Sequence, residues 1–103
     1  MPIAEVSVVP IGTASTGISE LVADAVRLVR TTGLKYEITA MGTIIEGELD
    51  DIFAVAEAMH QRCILSGAMR VMTTIRVDDR LDQTITIENK RATVIERLQG
   101  TEQ

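Results

Sequence analysis

Apolar residues in this chain recur with two periods, and the order of those periods limits the possible folds more than any other feature. Residues 3–11 (IAEVSVVPI) alternate as a strand does, and residues 18–31 carry an apolar stripe at helical spacing. Five further segments continue the pattern, as strands over 35–39 and 43–49, a helix up to Leu65, a strand over 69–78 and a helix over 88–99. The order β-α-β-β-α-β plus a C-terminal helix predicts an α+β, ferredoxin-like domain, with two helices on one face of a four-stranded antiparallel sheet.

Length and composition limit the remaining choices. The chain has 103 residues, which fits one core, so residues 1–103 are predicted to form a single domain. Tyr36 and Phe53 are the only aromatic residues, so the core must be aliphatic. A net charge of −5 argues against binding to nucleic acid or to an anionic membrane. A lone cysteine, Cys63, and an N-terminus without a basic leader predict a cytoplasmic protein.

The strand patterns also predict an apolar surface on the sheet. If Val6, Val8, Ile75 and Val77 face the helices, then the other face carries Ser7, Val9, Ile44, Met72, Thr74 and Arg76. A face with three large apolar side chains is too apolar to be wholly solvated, and such patches commonly mark interfaces. We therefore expect a homo-oligomer, either a homodimer or a dimer of dimers, with the tetramer favoured.

Residues 39–48 (TAMGTIIEGE) carry the pattern most typical of a small-molecule site. The turn Ala40-Met41-Gly42 leads directly into a strand on which Thr43 and Glu46 point to opposite faces. A carboxylate in the middle of a strand needs a partner if it is buried. An aminopyrimidine ligand would serve, and so would Arg70 or Arg76 of the sheet. Asp50, shortly after this strand, is predicted to cap the next helix.

The remaining candidates for chemistry have simpler interpretations. His60 and Cys63 are neighbours on a helix, but a metal site needs three or four ligands and the chain has no other His or Cys. Both are therefore predicted to be packing residues. The segment GTASTG at 12–17 matches no phosphate-binding motif and is interpreted as a strand-to-helix loop. The run 78–80 is interpreted as a solvated strand exit.

Four segments together resemble the small thiamine-binding protein family, whose members bind thiamine and hydroxymethylpyrimidine. They are VSVVPIGTASTGISELVADAV, GLKYEITAMGTIIEGELDDI, GAMRVMTTIRVDDR and ENKRATV. The resemblance covers nearly the whole chain, about residues 3–98, in the same order and spacing. Members typically carry P-M-G-T-x-I-E-G-E. The matching positions here are Met41, Gly42, Thr43, Ile45, Glu46, Gly47 and Glu48. Ala40 replaces the proline.

The resemblance implies a ferredoxin-like protomer that pairs through its sheets, often as a dimer of dimers. It also implies a pocket for the pyrimidine of thiamine near the glycine turn, with binding and no turnover, so no catalytic residue and no cofactor is expected. Thr43, Glu46 and backbone groups around Gly42 would meet the polar edge of the ring. Apolar contacts would come from Met41, Ile11 and Tyr36.

Three other functions occur on domains of similar topology. An RNA-binding domain of this topology would need aromatic residues on its central strands, where this chain has Ser7, Val9 and Ile45. An enzyme resembling acylphosphatase would need an arginine in the first loop, and Asn89 is in the wrong place for its asparagine. A regulatory or structural oligomer that senses another small metabolite stays open as the alternative.

Overall fold

The computed structural model describes residues 1–12 and 18–101. Within this part the chain forms four strands and three helices in the order predicted from the sequence. Their bounds are β1 (Ile3–Ile11), α1 (Ile18–Thr32), β2 (Lys35–Thr39), β3 (Gly42–Glu46), α2 (Leu49–Leu65), β4 (Arg70–Asp78) and α3 (Ile87–Thr101). The predicted loop at Thr13–Thr16 lies outside the described residues.

The strands form one antiparallel sheet with the order β2-β3-β1-β4. Helices α1 and α2 pack on one face of this sheet, and the predicted α+β, ferredoxin-like fold is confirmed. None of the helices in the described ranges is long and apolar enough to cross a lipid bilayer.

The main core lies between the sheet and these two helices. Its central side chains are the aliphatic ones expected from the scarcity of aromatics: Val6, Val29, Ile45, Ile52 and Met59, each at most 1% exposed. Val6 and Ile45 come from alternating positions of β1 and β3, as a sheet with one buried face requires. Burial of the apolar stripe fixes which face of each strand the helices cover.

The second helix begins earlier than the sequence predicts. Strand β3 ends at Glu46. Gly47 lies opposite Pro2 in the same register and its N–H still donates to the Pro2 carbonyl at 3.2 Å, but proline has no N–H to form the second bond of the pair. Glu48 has extended backbone angles and occupies the N-cap position, and its carbonyl accepts from the Ile52 N–H at 3.0 Å. The prediction that Asp50 caps this helix is therefore wrong. Asp50 lies inside the first turn, where a carboxylate favours the helix dipole.

The sheet face opposite α1 and α2, named here the open face, is less open than predicted. Ile85 and Ile87 pack against Ile3 of β1 and Ile44 of β3, and form a second small core. Helix α3 therefore begins on the open face and covers one end of it. Ile44, expected to be exposed there, is half-buried by its own chain. Val9 and Met72 on the same face remain 43% and 54% exposed.

Candidate ligand-binding site

The turn between β2 and β3 is held by a side chain. The Thr39 hydroxyl donates to the carbonyl of Gly42 at 3.0 Å and accepts from the N–H of Met41 at 3.3 Å. Thr39 and Gly42 are also directly paired across the hairpin. A threonine that bonds the backbone of its own turn helps to fix the turn shape.

Gly42 is required at the start of β3 by close approach of two strands. A Cβ atom on this residue would lie 2.9 Å from the carbonyl oxygen of Val6 and 3.3 Å from Cγ of Glu5. Because real Cβ contacts do not come that close to backbone atoms, any side chain here would push the turn away from β1. Gly42 thus lets the turn lie directly against β1.

A cavity of about 350 Å³ lies beside this turn and is named here the turn cavity. Its walls come from β1, α1, α2 and the β2–β3 hairpin. Most of the lining is aliphatic. It includes Val6, Val26, Met41, Gly42, Thr43 and Met59. The volume lies at the lower end of the range usual for small-molecule pockets, about 300–1,000 Å³.

Thr43 supplies the buried polar group of the turn cavity. Its side chain is polar and it is 3% exposed, whereas the other buried side chains named above are aliphatic. A threonine hydroxyl can both donate and accept a hydrogen bond, so it can bind a polar group of a ligand in this cavity.

The structure brings together three of the six predicted ligand contacts. Met41, Gly42 and Thr43 all line the turn cavity, with Met41 79% exposed at its edge. Ile11 is half-buried at the end of β1, where it pairs with Arg70 of β4, and lies outside the lining. Tyr36 packs against the main core, and its hydroxyl accepts from Arg30 Nε at 3.4 Å. Neither of these two side chains reaches the cavity.

Glu46, the remaining predicted contact, lies on the other side of the sheet. It is three residues beyond Thr43, which is about 10 Å along a strand, and it points to the open face. Its Oε1 accepts from the N–H of Ile87 at 2.8 Å. Ile87 is the first residue of α3, so Glu46 caps a helix N-terminus from a distant strand. Arg76, one of its expected partners, pairs with Glu5 at 3.1 Å.

The geometry of His60 and Cys63 is that of packing residues. Cys63 is fully buried in the main core, and this burial raises the pKa of its thiol. His60 is half-buried, with Nδ1 2.7 Å from the hydroxyl of Thr73 on β4. In the described part of the chain, no three His, Cys, Asp or Glu side chains are grouped to hold a metal ion.

Sequence reasoning missed the apolar walls of the cavity. Val6, Val26 and Met59 line it from three different elements. Each of them follows the same periodic pattern as the core residues around it. No local signal separates a cavity wall from a core position, because the difference depends on how the elements pack.

Comparison with known proteins decides the family. The sequence model of the thiamine-binding protein family matches residues 4–95. The chain belongs to this family. The Bacillus subtilis UPF0045 protein YqgV is similar to this family member, with 44% identity over 103 residues that cover 96% of this chain and 99% of the relative. A UPF0045 protein of Methanothermobacter thermautotrophicus is 38% identical and covers 92% and 97% of the two chains.

Solved structures share the fold of this thiamine-binding family member. The protein MJ1052 of Methanocaldococcus jannaschii superposes with a TM-score of 0.82 at 36% identity, over 92% of this chain and 96% of that one. A Thermotoga maritima protein, described as a candidate for thiamine biosynthesis or salvage, gives a TM-score of 0.79 at 24% identity, over 90% and 97%. At that identity the likeness supports the fold alone.

Proposed function

We propose that this protein binds thiamine or its hydroxymethylpyrimidine moiety in the turn cavity, without turnover, as a cytoplasmic carrier, buffer or sensor. Family membership supports the ligand class. The observation that carries the proposal is the hydroxyl of Thr43, which is buried beside Gly42 in a mostly apolar cavity.

The chemistry of an aminopyrimidine suits this cavity. Its edge presents hydrogen-bond donors and acceptors, and the Thr43 hydroxyl can both donate and accept. Its two faces are apolar and would contact half-buried aliphatic side chains such as that of Val26. Hydroxyl and backbone groups of this kind bind a ring but do not transfer protons near neutral pH, which supports a binding role.

Charge supports the intact vitamin as well as its pyrimidine. The protein carries a net charge of −5, which attracts a cation over distances up to the screening length. Thiamine carries a permanent positive charge on its thiazolium ring. With the pyrimidine in the cavity, the thiazolium would extend past Met41 toward solvent, since Met41 lies exposed at the edge.

Calorimetric titration of the purified protein tests the proposal. Thiamine, hydroxymethylpyrimidine and the thiamine phosphates are titrated separately into wild-type protein and into Thr43→Val. Loss of one hydrogen bond to a buried group should weaken binding by about tenfold or more. Thr74→Val is the matched control, because Thr74 is exposed on the open face of β4.

The possible results test the position of the site and the identity of the ligand separately. Binding by wild type that Thr43→Val leaves unchanged would place the site elsewhere, with the segment 13–16 as the next candidate. No binding of any thiamine-related compound would refute the proposed ligand. The protein would then be a regulatory or structural member of the family that senses another small metabolite.

A further inference from the structure

Strand β1 continues past the end of its neighbour β3. The ladder between the two strands ends at the pair Val6–Thr43, whereas β1 itself extends to Ile11. Strand β3 begins at Gly42, where the hairpin turns back into β2. On this side, therefore, no described strand lies opposite the second half of β1. The backbone groups there are available to a partner other than a strand.

The alternation of backbone groups shows which residues of β1 face this side. In an antiparallel sheet, every second residue of a strand directs its N–H and C=O to the same neighbouring strand. The carbonyl of Pro2 accepts from the N–H of Gly47, which follows β3 in the same register. The even-numbered residues of β1 therefore direct their backbone groups to the β3 side, and the odd-numbered residues direct theirs to β4. At Val8, both groups point past the end of the hairpin.

Pro10 supports this orientation independently. It lies in a strand that has β3 on one side and β4 on the other. Proline has no N–H, so within a sheet it occurs where that N–H would face no partner strand. Pro10 is even-numbered, and its register with Val71 of β4 is intact. Of the β1 residues beyond the ladder, Val8 is thus the one that directs both an N–H and a C=O to this side.

The backbone of Val8 borders the turn cavity. Four consecutive residues of β1, 6–9, line this cavity, as do six consecutive residues of the hairpin, 38–43. Side chains of neighbouring strand residues point to opposite faces, so a consecutive run lines a cavity with its backbone edge. The side chain of Val8 is 6% exposed and belongs to the main core. Val8 therefore presents its N–H and C=O to the cavity.

We propose that the N–H and C=O of Val8 bind the amino edge of the pyrimidine in the turn cavity and make the site specific for an amino group. This inference rests on the proposed function. The Val8 N–H donates to the ring nitrogen beside the amino group, and the amino group donates to the Val8 C=O, as a paired strand would. The Thr43 hydroxyl, on the residue paired with Val6, then binds another polar group of the ligand.

This pairing excludes the deaminated ring. Replacing the amino group by oxygen sets an acceptor against the Val8 C=O, and in one tautomer the adjacent ring N–H also faces the Val8 N–H. A site built on hydrogen bonds rejects a ligand that leaves its polar groups unpaired. We expect the oxo analogue of hydroxymethylpyrimidine to bind at least about a hundredfold more weakly than the amine.

NMR of the wild-type protein tests the two Val8 bonds directly. In the free protein the Val8 N–H should exchange faster than those of Ser7 and Val9, which pair with β4. Titration with hydroxymethylpyrimidine should move the Val8 amide proton downfield and slow its exchange at least about tenfold, in proportion to occupancy. The amide protons of Ser7 and Val9 should shift less, and the oxo analogue at the same concentration should have no such effect.

A backbone variant tests the donor separately. Val8→Pro removes the N–H and spares the ladder with β4, because Val8 directs no backbone group to that strand. It should weaken hydroxymethylpyrimidine binding at least about tenfold in calorimetric titration. Val8→Ala is the matched control, since it keeps the N–H and should bind as wild type does. Urea unfolding shows whether both variants fold, and if Val8→Pro does not, the NMR titration and the oxo analogue decide.

The results distinguish this inference from the proposed function. A wild type that binds hydroxymethylpyrimidine without a change at the Val8 amide, or binds the oxo analogue equally well, would overturn the inference and leave the function intact. Unchanged affinity in folded Val8→Pro would do the same. A wild type that binds no thiamine-related compound would refute both.

Discussion

Gly42 shows how one residue couples the fold to the site. Replacing it with alanine brings a Cβ to 2.9 Å from the Val6 carbonyl oxygen, and we expect a loss of about 1–3 kcal/mol in the free energy of unfolding. Ligand affinity should fall as well, because the turn that forms one wall of the turn cavity moves. Gly100→Ala is the control, since nothing lies within 4 Å of its added Cβ. Urea unfolding should show that variant unchanged or slightly stabilised.

Cys63 is predicted to be structural and unreactive. Burial raises the pKa of its thiol, so the reactive thiolate is scarce at neutral pH. Native protein should react with an aromatic disulfide reagent far more slowly than protein in urea. Cys63→Ala should lower the free energy of unfolding by about 1–2 kcal/mol and leave ligand affinity unchanged. Lost affinity at unchanged stability would contradict this role.

The residues of the site were only partly predictable from the sequence. Strand alternation placed Thr43 and Glu46 on opposite faces, and that placement is correct. The resemblance nevertheless assigned both to one ligand. The structure shows Glu46 bonded to Ile87, a residue far along the chain. Alternation gives the direction of a side chain but not its partner, because the partner depends on how distant elements pack.

At the scale of elements, the attachment of α3 depends on Glu46. Glu46→Ala removes the acceptor of the Ile87 N–H, and we expect a loss of about 0.5–2 kcal/mol in stability, as for other helix caps. Glu48→Ala is the matched control, because Glu48 occupies the N-cap position of α2 without a side-chain hydrogen bond. Hydrogen exchange should show faster exchange at 87–90 in Glu46→Ala only. Normal exchange there combined with lost ligand affinity would favour the ligand role predicted from the sequence.

The packing of α3 on the sheet should depend on pH because Glu88 of α3 forms an ion pair with Lys35 of β2. Lys35 lowers the pKa of the Glu88 carboxyl, and Glu88 in turn raises the pKa of Lys35. Glu88 therefore contributes fully to stability above its ordinary pKa of about 4.3, and this contribution is lost as the pH falls through its lowered pKa. Lys35 contributes fully to stability below its ordinary pKa of about 10.4, and this contribution is lost as the pH rises through its raised pKa. Exchange protection of 87–90 should fall at both extremes, and Lys35→Met should flatten the profile.

The sequence predicted the boundaries of helices and strands correctly where the local residue pattern determines them. Strand β2 and the end of α2 at Leu65 agree with the sequence prediction, since periodicity stops at Thr39 and at Ser66-Gly67. The start of α2 was misplaced because β3 ends opposite Pro2, which lies far away in the sequence and has no N–H to continue the pairing. Such a contact leaves no mark on the residues near the boundary.

For the whole molecule, periodicity was sufficient to predict the topology but not the third helix's position. Helix α3 is fixed on the open face by three ion pairs to strands β2 and β4, among them Arg91 to Glu37 at 3.4 Å. Its side chains Val94, Ile95 and Leu98 remain 46–58% exposed. The predicted apolar surface of the sheet is therefore smaller than expected, and Val9 and Met72 are its remaining large apolar side chains.

We propose that this remaining surface joins copies of the chain in a homo-oligomer, with the tetramer of four times the 11.2 kDa chain mass favoured. Val9 and Met72 are direct cross-strand neighbours and form one exposed apolar contact. Val9→Glu places a charge at its centre, and light scattering should show a smaller assembly than for the wild type. Leu81→Glu, at a 97% exposed position outside this surface, should keep the mass of the wild type. A wild-type mass that persists in Val9→Glu would rule out the open face as an interface.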